Sequence, residues 1–187
     1  MNTVKEILQD VETKMKKTVE ATLREFNTVR TGRASPVLVE GIKVEYYGQE
    51  VPLRQIAGIS IPDARLIVIQ PWDPKALAEI EKAILKSDIG ITPTNDGKLI
   101  RLSVPPLTQE RREELVKLVK KMAEDGKVSL RSARHVANDA IDRLEKEKKI
   151  SDDERFKGHK DTQRFIDRYS EQIDKLFKSK EEEITPH

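Results

Sequence analysis

Cysteine is absent from the 187 residues, which excludes disulfides, thiol catalysis, thiolate zinc sites and iron–sulfur clusters. Aromatic residues make up only 4%, with one Trp, three Tyr and four Phe, so an extended base-stacking platform has little material to draw on. Apolar runs are short: Leu66-Ile67-Val68-Ile69 is among the longest, against the roughly 20 residues a membrane helix needs. The first dozen residues lack the uninterrupted apolar core of a signal peptide, and the expectation is a soluble, cytoplasmic protein with no membrane partner. An excess of one charge is missing too, since 35 Lys and Arg face 33 Asp and Glu for a net charge of +2. Leu, Ile, Val and Phe together supply 50 residues, enough apolar material for a folded chain.

What is present divides unevenly. Residues 30–105 carry 10 basic and 9 acidic residues in 76 positions, whereas the flanks carry 49 charges in 111. The same middle stretch holds 13 of the 17 Gly and Pro residues, placed between short apolar runs as strands and turns require. The two flanks share a composition, and neither is long enough for a normal core alone. They are therefore expected to form one discontinuous domain, 1–29 plus 106–187, with 30–105 inserted as a second.

The first flank repeats apolar residues every three or four positions, at Val4, Leu8, Val11, Met15, Val19, Leu23, Phe26 and Val29, which predicts a helix of about 27 residues ending near Gly32. From about Thr108, a second helix places Leu115, Leu118, Val119, Met122, Leu130, Ala133, Ala137, Ile141 and Leu144 on one face. Only Gly126 interrupts it, at about 1 kcal/mol relative to Ala. Ser151 to Glu154 has capping-box spacing, after which Phe156, Ile166, Tyr169, Ile173, Leu176 and Phe177 predict a third helix. Helices of roughly 27 to 38 residues span some 40 to 57 Å, so three packed antiparallel make a narrow rod.

In the middle, Ile42, Val44 and Tyr46 alternate with polar residues, and Gly48 turns the chain. Ile56–Ile61, Leu66–Ile69 and Leu99–Val104 are further β-rich runs. Asp73-Pro74 predicts a helix start, followed by an apolar face of Leu77, Ile80, Ile84 and Leu85. Asn95-Asp96-Gly97 reads as a turn, and Pro105-Pro106 as a stiff extended segment. Trp72, just before the cap, is expected to pack. Tyr46 lies on the buried alternation, so core packing is the expected role for at least one ring of the Tyr46-Tyr47 pair. Together these features predict an α+β fold, a long antiparallel three-helix bundle carrying an inserted β/α/β domain.

An acid, base, nucleophile or metal cluster of recognisable spacing is lacking. The histidines are His135, His159 and His187, with no His-Glu-x-x-His, no Walker-type phosphate loop and no Gly-x-Gly-x-x-Gly after a strand. Asp152-Asp153-Glu154 and Glu181-Glu182-Glu183 read as solvated helix ends. The expectation is a non-enzyme with no metal and no cofactor. The basic residues are better placed: Lys127, Arg131, Arg134 and His135 fall three or four apart and share a helix face. This is the pattern of a rigid phosphate-contacting surface, although an ordinary charged face with Glu124, Asp125 and Asp139 close by fits as well. A second basic element, Arg30 and Arg33, sits where the first helix is expected to end, where arginines also complement free carbonyls. The residues alone leave open a nucleic-acid-binding factor, a protein-binding adaptor using the rod as a spacer, and, for want of a catalytic constellation least of all, a small enzyme.

Several longer motifs are more specific. Arg30-Thr31-Gly32-Arg33-Ala34-Ser35-Pro36, Val44-Glu45-Tyr46-Tyr47-Gly48, Pro52-Leu53-Arg54-Gln55-Ile56-Ala57 and Pro105-Pro106-Leu107-Thr108-Gln109-Glu110-Arg111-Arg112 together resemble the ribosome recycling factor family. Glu81-Lys82-Ala83-Ile84, Ser87-Asp88-Ile89-Gly90, Asn95-Asp96-Gly97 and Ile100-Arg101 extend the resemblance along the chain. It implies an L-shaped, monomeric, two-domain protein that acts on the post-termination ribosome. With elongation factor G and GTP, it would split the subunits and release messenger and transfer RNA. It further implies that Arg131 and Arg134, with Lys127, His135, Arg30 and Arg33, contact ribosomal RNA of the large subunit. Arg30, Thr31, Gly32, Val104, Pro105 and Pro106 would form the hinge toward elongation factor G. Ser132, Ala133, His135 and Thr92 depart from the family's usual residues.

Overall fold

The computed structural model describes residues 2–186; Met1 and His187, the last of the three histidines, lie outside the described residues. The chain forms two compact units, one running to Arg30 and resuming at Gln109, the other Thr31–Thr108. The first unit contains the helices α1 (Val4–Asn27), α3 (Gln109–Lys146) and α4 (Asp152–Ile184). Thr3 caps α1, its side chain accepting from the Glu6 amide at 3.1 Å, and Ser151 caps α4 through the Glu154 amide at 3.1 Å. Thr162 and Asn138, Ile141 and Gly158, and Gly126 and Ile173 meet across α3 and α4. Those pairings run the two helices antiparallel. Gly126 meets Thr22 of α1, and Gly158 faces both Val4 of α1 and Ile141 of α3, so α1 runs parallel to α4 and antiparallel to α3.

The seam between the helices departs from the expected stripes in an instructive way. Leu23, Leu118 and Phe156 are exposed and Leu8 is half-buried, while Ile7, Thr22, Ala123, Gly126, Gly158 and Thr162 are buried. Small residues define the line of closest approach, and larger apolar side chains one position away flank it. Gly126 is therefore a packing site rather than a tolerated break: a Cβ there would lie 2.6 Å from Thr22 Oγ1 and 3.1 Å from Ile173 Cδ1. The first helix also stops earlier than expected. The Thr28 hydroxyl donates to the Glu25 carbonyl at 2.6 Å, taking up a free acceptor of the last turn at once. Gly32, with φ +75°, turns the chain farther on, where a Cβ would come within 3.0 Å of Leu107 Cγ.

The second unit is a four-stranded antiparallel sheet and a separate hairpin. The hairpin pairs β1 (Lys43–Tyr46) with β2 (Gln49–Pro52). The sheet order is β3-β4-β6-β5, from β3 (Ala57–Asp63), β4 (Leu66–Pro71), β5 (Thr94–Asn95) and β6 (Ile100–Ser103). Asp73 accepts from the Lys75 amide at 3.0 Å. The turn it starts is 3-10, Pro74–Ala76, and α2 (Leu77–Lys86) follows directly. Ile67, Ile69, Ile80, Ile84, Ile100 and Leu102 fill the core at 0–1% exposure, but Leu85 is exposed. Trp72, expected to pack, is 68% exposed. Its position just beyond β4 puts it outside the alternation that buries Ile67 and Ile69.

Both chain crossings are tied to the β3–β4 turn. The Ala34 amide donates to the Ala64 carbonyl at 2.7 Å, and the Val104 amide to the Arg65 carbonyl at 2.8 Å. Leu107 lies against Gly32. The segment Pro105–Thr108 consequently belongs to the second unit, which extends to Thr108 rather than to the expected residue 105.

Candidate nucleic-acid interface

Residue 127 begins a run of α3 in which 131 lies one turn on, followed by 134 and 135. This long helix is held by buried Leu130, Ala137 and Ile141 on its inner side. Lys127, Arg131, Arg134 and His135 are all exposed or half-buried, and each finds a polar partner. Lys127 Nζ pairs with Asp174 of α4. Arg131 Nη2 donates to Glu124 Oε1 at 2.7 Å, two turns back along α3. His135 Nε2 is 3.3 Å from Asp139 Oδ2. Arg134 Nη1 donates across to Gln163 Oε1 of α4 at 2.6 Å.

Three of the four basic residues therefore face a carboxylate and one faces an amide. Ion pairs this exposed contribute about 0–1 kcal/mol each to stability, so they neither hold the bundle together nor prevent exchange with an outside phosphate. The result is a rigid face of exchangeable guanidinium, ammonium and imidazole groups. Exposed Val128 and Val136 lie on the same helix, at 50% and 57% exposure. Arg30 and Arg33 are also exposed; Arg30 ends the first unit, and Arg33 stands in the second, three residues before the short 3-10 turn Pro36–Leu38. Because α1 stops at Asn27, it is Arg24 that occupies its last turn, not Arg30 or Arg33.

Sequence spacing brought together the four α3 residues but missed their partners on α4. Asp174 and Gln163 are 47 and 29 residues away along the chain, and only the antiparallel pairing of α3 with α4 places them. His159 was similarly silent. Its Nε2 lies 2.7 Å from Asp142 Oδ1, which also faces Arg155 at 3.7 Å. The Thr162 hydroxyl nearby donates to Asn138 Oδ1 at 2.7 Å, so the group ties α3 to α4. Among the described residues, no three His, Asp or Glu side chains gather as a metal site, and no helix is long and apolar enough to cross a membrane. The acidic Asp152 to Glu154 run occupies the first turn of α4, where it complements the helix dipole.

A second polar cluster lies in the β-unit. Tyr46 and Tyr47 hydroxyls both donate to Asp73 Oδ2 at 3.1 Å, and their rings meet edge to face at 4.5 Å. Burial and then the Asp73 bond raise the Tyr46 phenol, and the Asp73 bond chiefly raises that of Tyr47. The Lys75 amide, above all, lowers Asp73. Tyr46 thus packs and bonds together, whereas Tyr47 is 75% exposed.

Comparison with known proteins shows likeness along the whole chain. A family model described as ribosome recycling factor matches residues 22–185. The chain is 53% identical over 181 residues to the ribosome-recycling factor of Carboxydothermus hydrogenoformans, covering 97% of this chain and 98% of that one. It is 52% identical over 179 residues to that of Natranaerobius thermophilus, covering 96% and 97%. A solution structure of a ribosome recycling factor matches with a TM-score of 0.80 at 43% identity, over 98% of each chain. A second solved structure matches with a TM-score of 0.67 at 42% identity, over 97% of this chain and 98% of that one. It is described as models of the T. thermophilus ribosome recycling factor and the E. coli elongation factor G bound to the E. coli post-termination complex.

Proposed function

The chain belongs to the ribosome recycling factor family, and from that premise we propose that it acts with elongation factor G and GTP on the post-termination ribosome. It splits the ribosome into subunits and so releases messenger and transfer RNA for a new round of translation. The observation that carries this reading is the likeness over both units at once, 53% identity across 97% of the chain. The protein works in the cytoplasm as a monomer and hydrolyses nothing itself; the energy of GTP hydrolysis reaches it through elongation factor G.

In this reading, Lys127, Arg131, Arg134 and His135 lie against large-subunit ribosomal RNA, with Arg30 and Arg33 adding phosphate contacts nearer the hinge. A rigid helix is suited to the task, because guanidinium groups in fixed positions lose little freedom on meeting phosphates. Arg30, Thr31, Gly32, Val104, Pro105 and Pro106 form the hinge that elongation factor G works through. Gly32 supports that role by its positive φ and its approach to Leu107, and the two prolines support it by their stiffness.

The test is the rate at which post-termination complexes split when the protein is added with elongation factor G and GTP. Splitting should need both factors. Arg134→Ala should slow it and weaken large-subunit binding while leaving stability within about 0.5 kcal/mol, because the Gln163 bond it gives up lies at the surface. Replacing Pro105 and Pro106 by Gly should reduce splitting more than large-subunit binding. Absence of splitting with a matched elongation factor would overturn the function, and a stability loss with unchanged binding in Arg134→Ala would overturn the interface.

A further inference from the structure

Lys127, Arg131 and His135 face the carboxylates Asp174, Glu124 and Asp139, whereas Arg134 is bonded to the uncharged oxygen of Gln163 at 2.6 Å. That amide is itself held: Gln163 Nε2 donates to Asp167 Oδ1, one turn farther along α4, at 2.9 Å. The second bond fixes which way the amide points. Were it flipped, its NH2 would face the guanidinium and its oxygen the Asp167 carboxylate, two repulsive contacts in place of two attractive ones. Gln163 Oε1 is therefore committed to Arg134.

We propose that Gln163, oriented by Asp167, is a positioning residue that holds Arg134 ready for a ribosomal RNA phosphate without neutralising its charge. This rests on the interface reading given above. A guanidinium has five N–H donors in a fixed fork. One of them bonded to a neutral acceptor leaves the others and the full charge for a phosphate. A carboxylate at the same place would fix the side chain equally well, but it would have to be displaced or would compete with the incoming anion. The arrangement separates orientation from neutralisation, and of the four basic residues only Arg134 has it. Fixing one long side chain in advance spares about 0.5–1.5 kcal/mol on binding, which corresponds to roughly two- to tenfold in affinity.

The experiment measures binding of the full-length protein to purified large ribosomal subunits at several potassium chloride concentrations. It compares wild type, Gln163→Leu, Gln163→Glu, Arg134→Ala and the Arg134→Ala/Gln163→Leu pair. Gln163 is exposed and Arg134 half-buried, and melting temperatures serve as the folding control. Gln163→Leu should weaken binding about two- to tenfold and leave the slope of log affinity against log salt unchanged, because the charge still reaches its phosphate. Gln163→Glu should keep Arg134 fixed yet lower that slope toward the value for Arg134→Ala, which loses about one unit. In the Arg134→Ala background, Gln163→Leu should change nothing. A normal affinity for Gln163→Leu, or an equal loss with and without Arg134, overturns the positioning role while leaving the interface intact. An unchanged slope and affinity for Arg134→Ala overturns the interface itself.

Discussion

Replacing Gly126 by alanine sets two opposing effects against each other in the middle of α3. Helix propensity alone favours the change by about 1 kcal/mol. Against it, the new Cβ would stand 2.6 Å from Thr22 Oγ1 and 3.1 Å from Ile173 Cδ1, so two neighbouring helices must yield together. Thr22 is 4% exposed, and its hydroxyl donates to the Thr18 carbonyl at 2.9 Å. Turning the side chain away would strand a buried hydroxyl at about 1–3 kcal/mol, while forcing the helices apart incurs a similar overpacking cost of about 1–3 kcal/mol. With both walls engaged, Gly126→Ala is predicted to destabilise by about 1–2 kcal/mol net. For a chain of this size that lowers the melting temperature by roughly 2–8 °C. Urea unfolding followed by far-UV circular dichroism is the right assay, since the long helices carry that signal and the single Trp72 belongs to the other unit. The sign should reverse when Thr22 is first replaced by alanine: with the clashing oxygen gone, Gly126→Ala should stabilise by up to about 1 kcal/mol. Stabilisation by Gly126→Ala in the wild-type background, or the same loss in both backgrounds, would refute the close-approach argument.

Three other predictions follow from local geometry. Lys148 adopts φ +57° after α3, and the Lys149 amide reaches back to the Leu144 carbonyl at 2.9 Å, a Schellman-type ending that favours glycine. Lys148→Gly should therefore raise stability by about 0.5–1 kcal/mol in the same urea assay; a decrease would show that the Lys148 side chain matters. Asp96 is lowered to about 2 by the Leu99 and Lys98 amides and then by Arg101, whose Nη1 lies 2.5 Å from its carboxylate. Its contribution to stability is present above the ordinary carboxylate range and is lost as pH falls through about 2, so Asp96→Asn should flatten the acid-side loss between about pH 4 and 2. An identical pH profile for the variant would contradict the assignment. Tyr46 and Tyr47 should ionise above the ordinary tyrosine range in an ultraviolet titration, and Asp73→Asn should bring Tyr47 down the most, because its Asp73 bond is its largest cause; an unmoved Tyr47 would count against the bond.

Composition and periodicity were enough to separate charged helical flanks from a breaker-rich insert, because both are carried by residues near one another in the chain. Ser151 three residues before Glu154, Asp73 before Pro74, and Asn95-Asp96-Gly97 each act within a few residues, so caps and turns could be read directly. The α3 basic residues were legible for the same reason: 127, 131, 134 and 135 share a helix face by spacing alone. The longer motifs carried the family, since their order and spacing over the chain are far more specific than any local pattern.

Only the tertiary structure decided which side of each helical stripe became the seam. The moment of an amphipathic helix points toward the core within about a residue, but the line of closest contact depends on where two other helices place their small residues. Gly126 read as a weak point because its cost is local, while its benefit, room for Thr22 and Ile173, comes from elsewhere in the fold. Trp72 and Phe156 read as core because apolar rings usually are, yet their positions beyond the buried register leave them 68% and 58% exposed. The partners of the basic face were likewise beyond reach: Gln163 meets Arg134 across 29 residues of chain, and that amide, not spacing along α3, distinguishes one arginine from its neighbours.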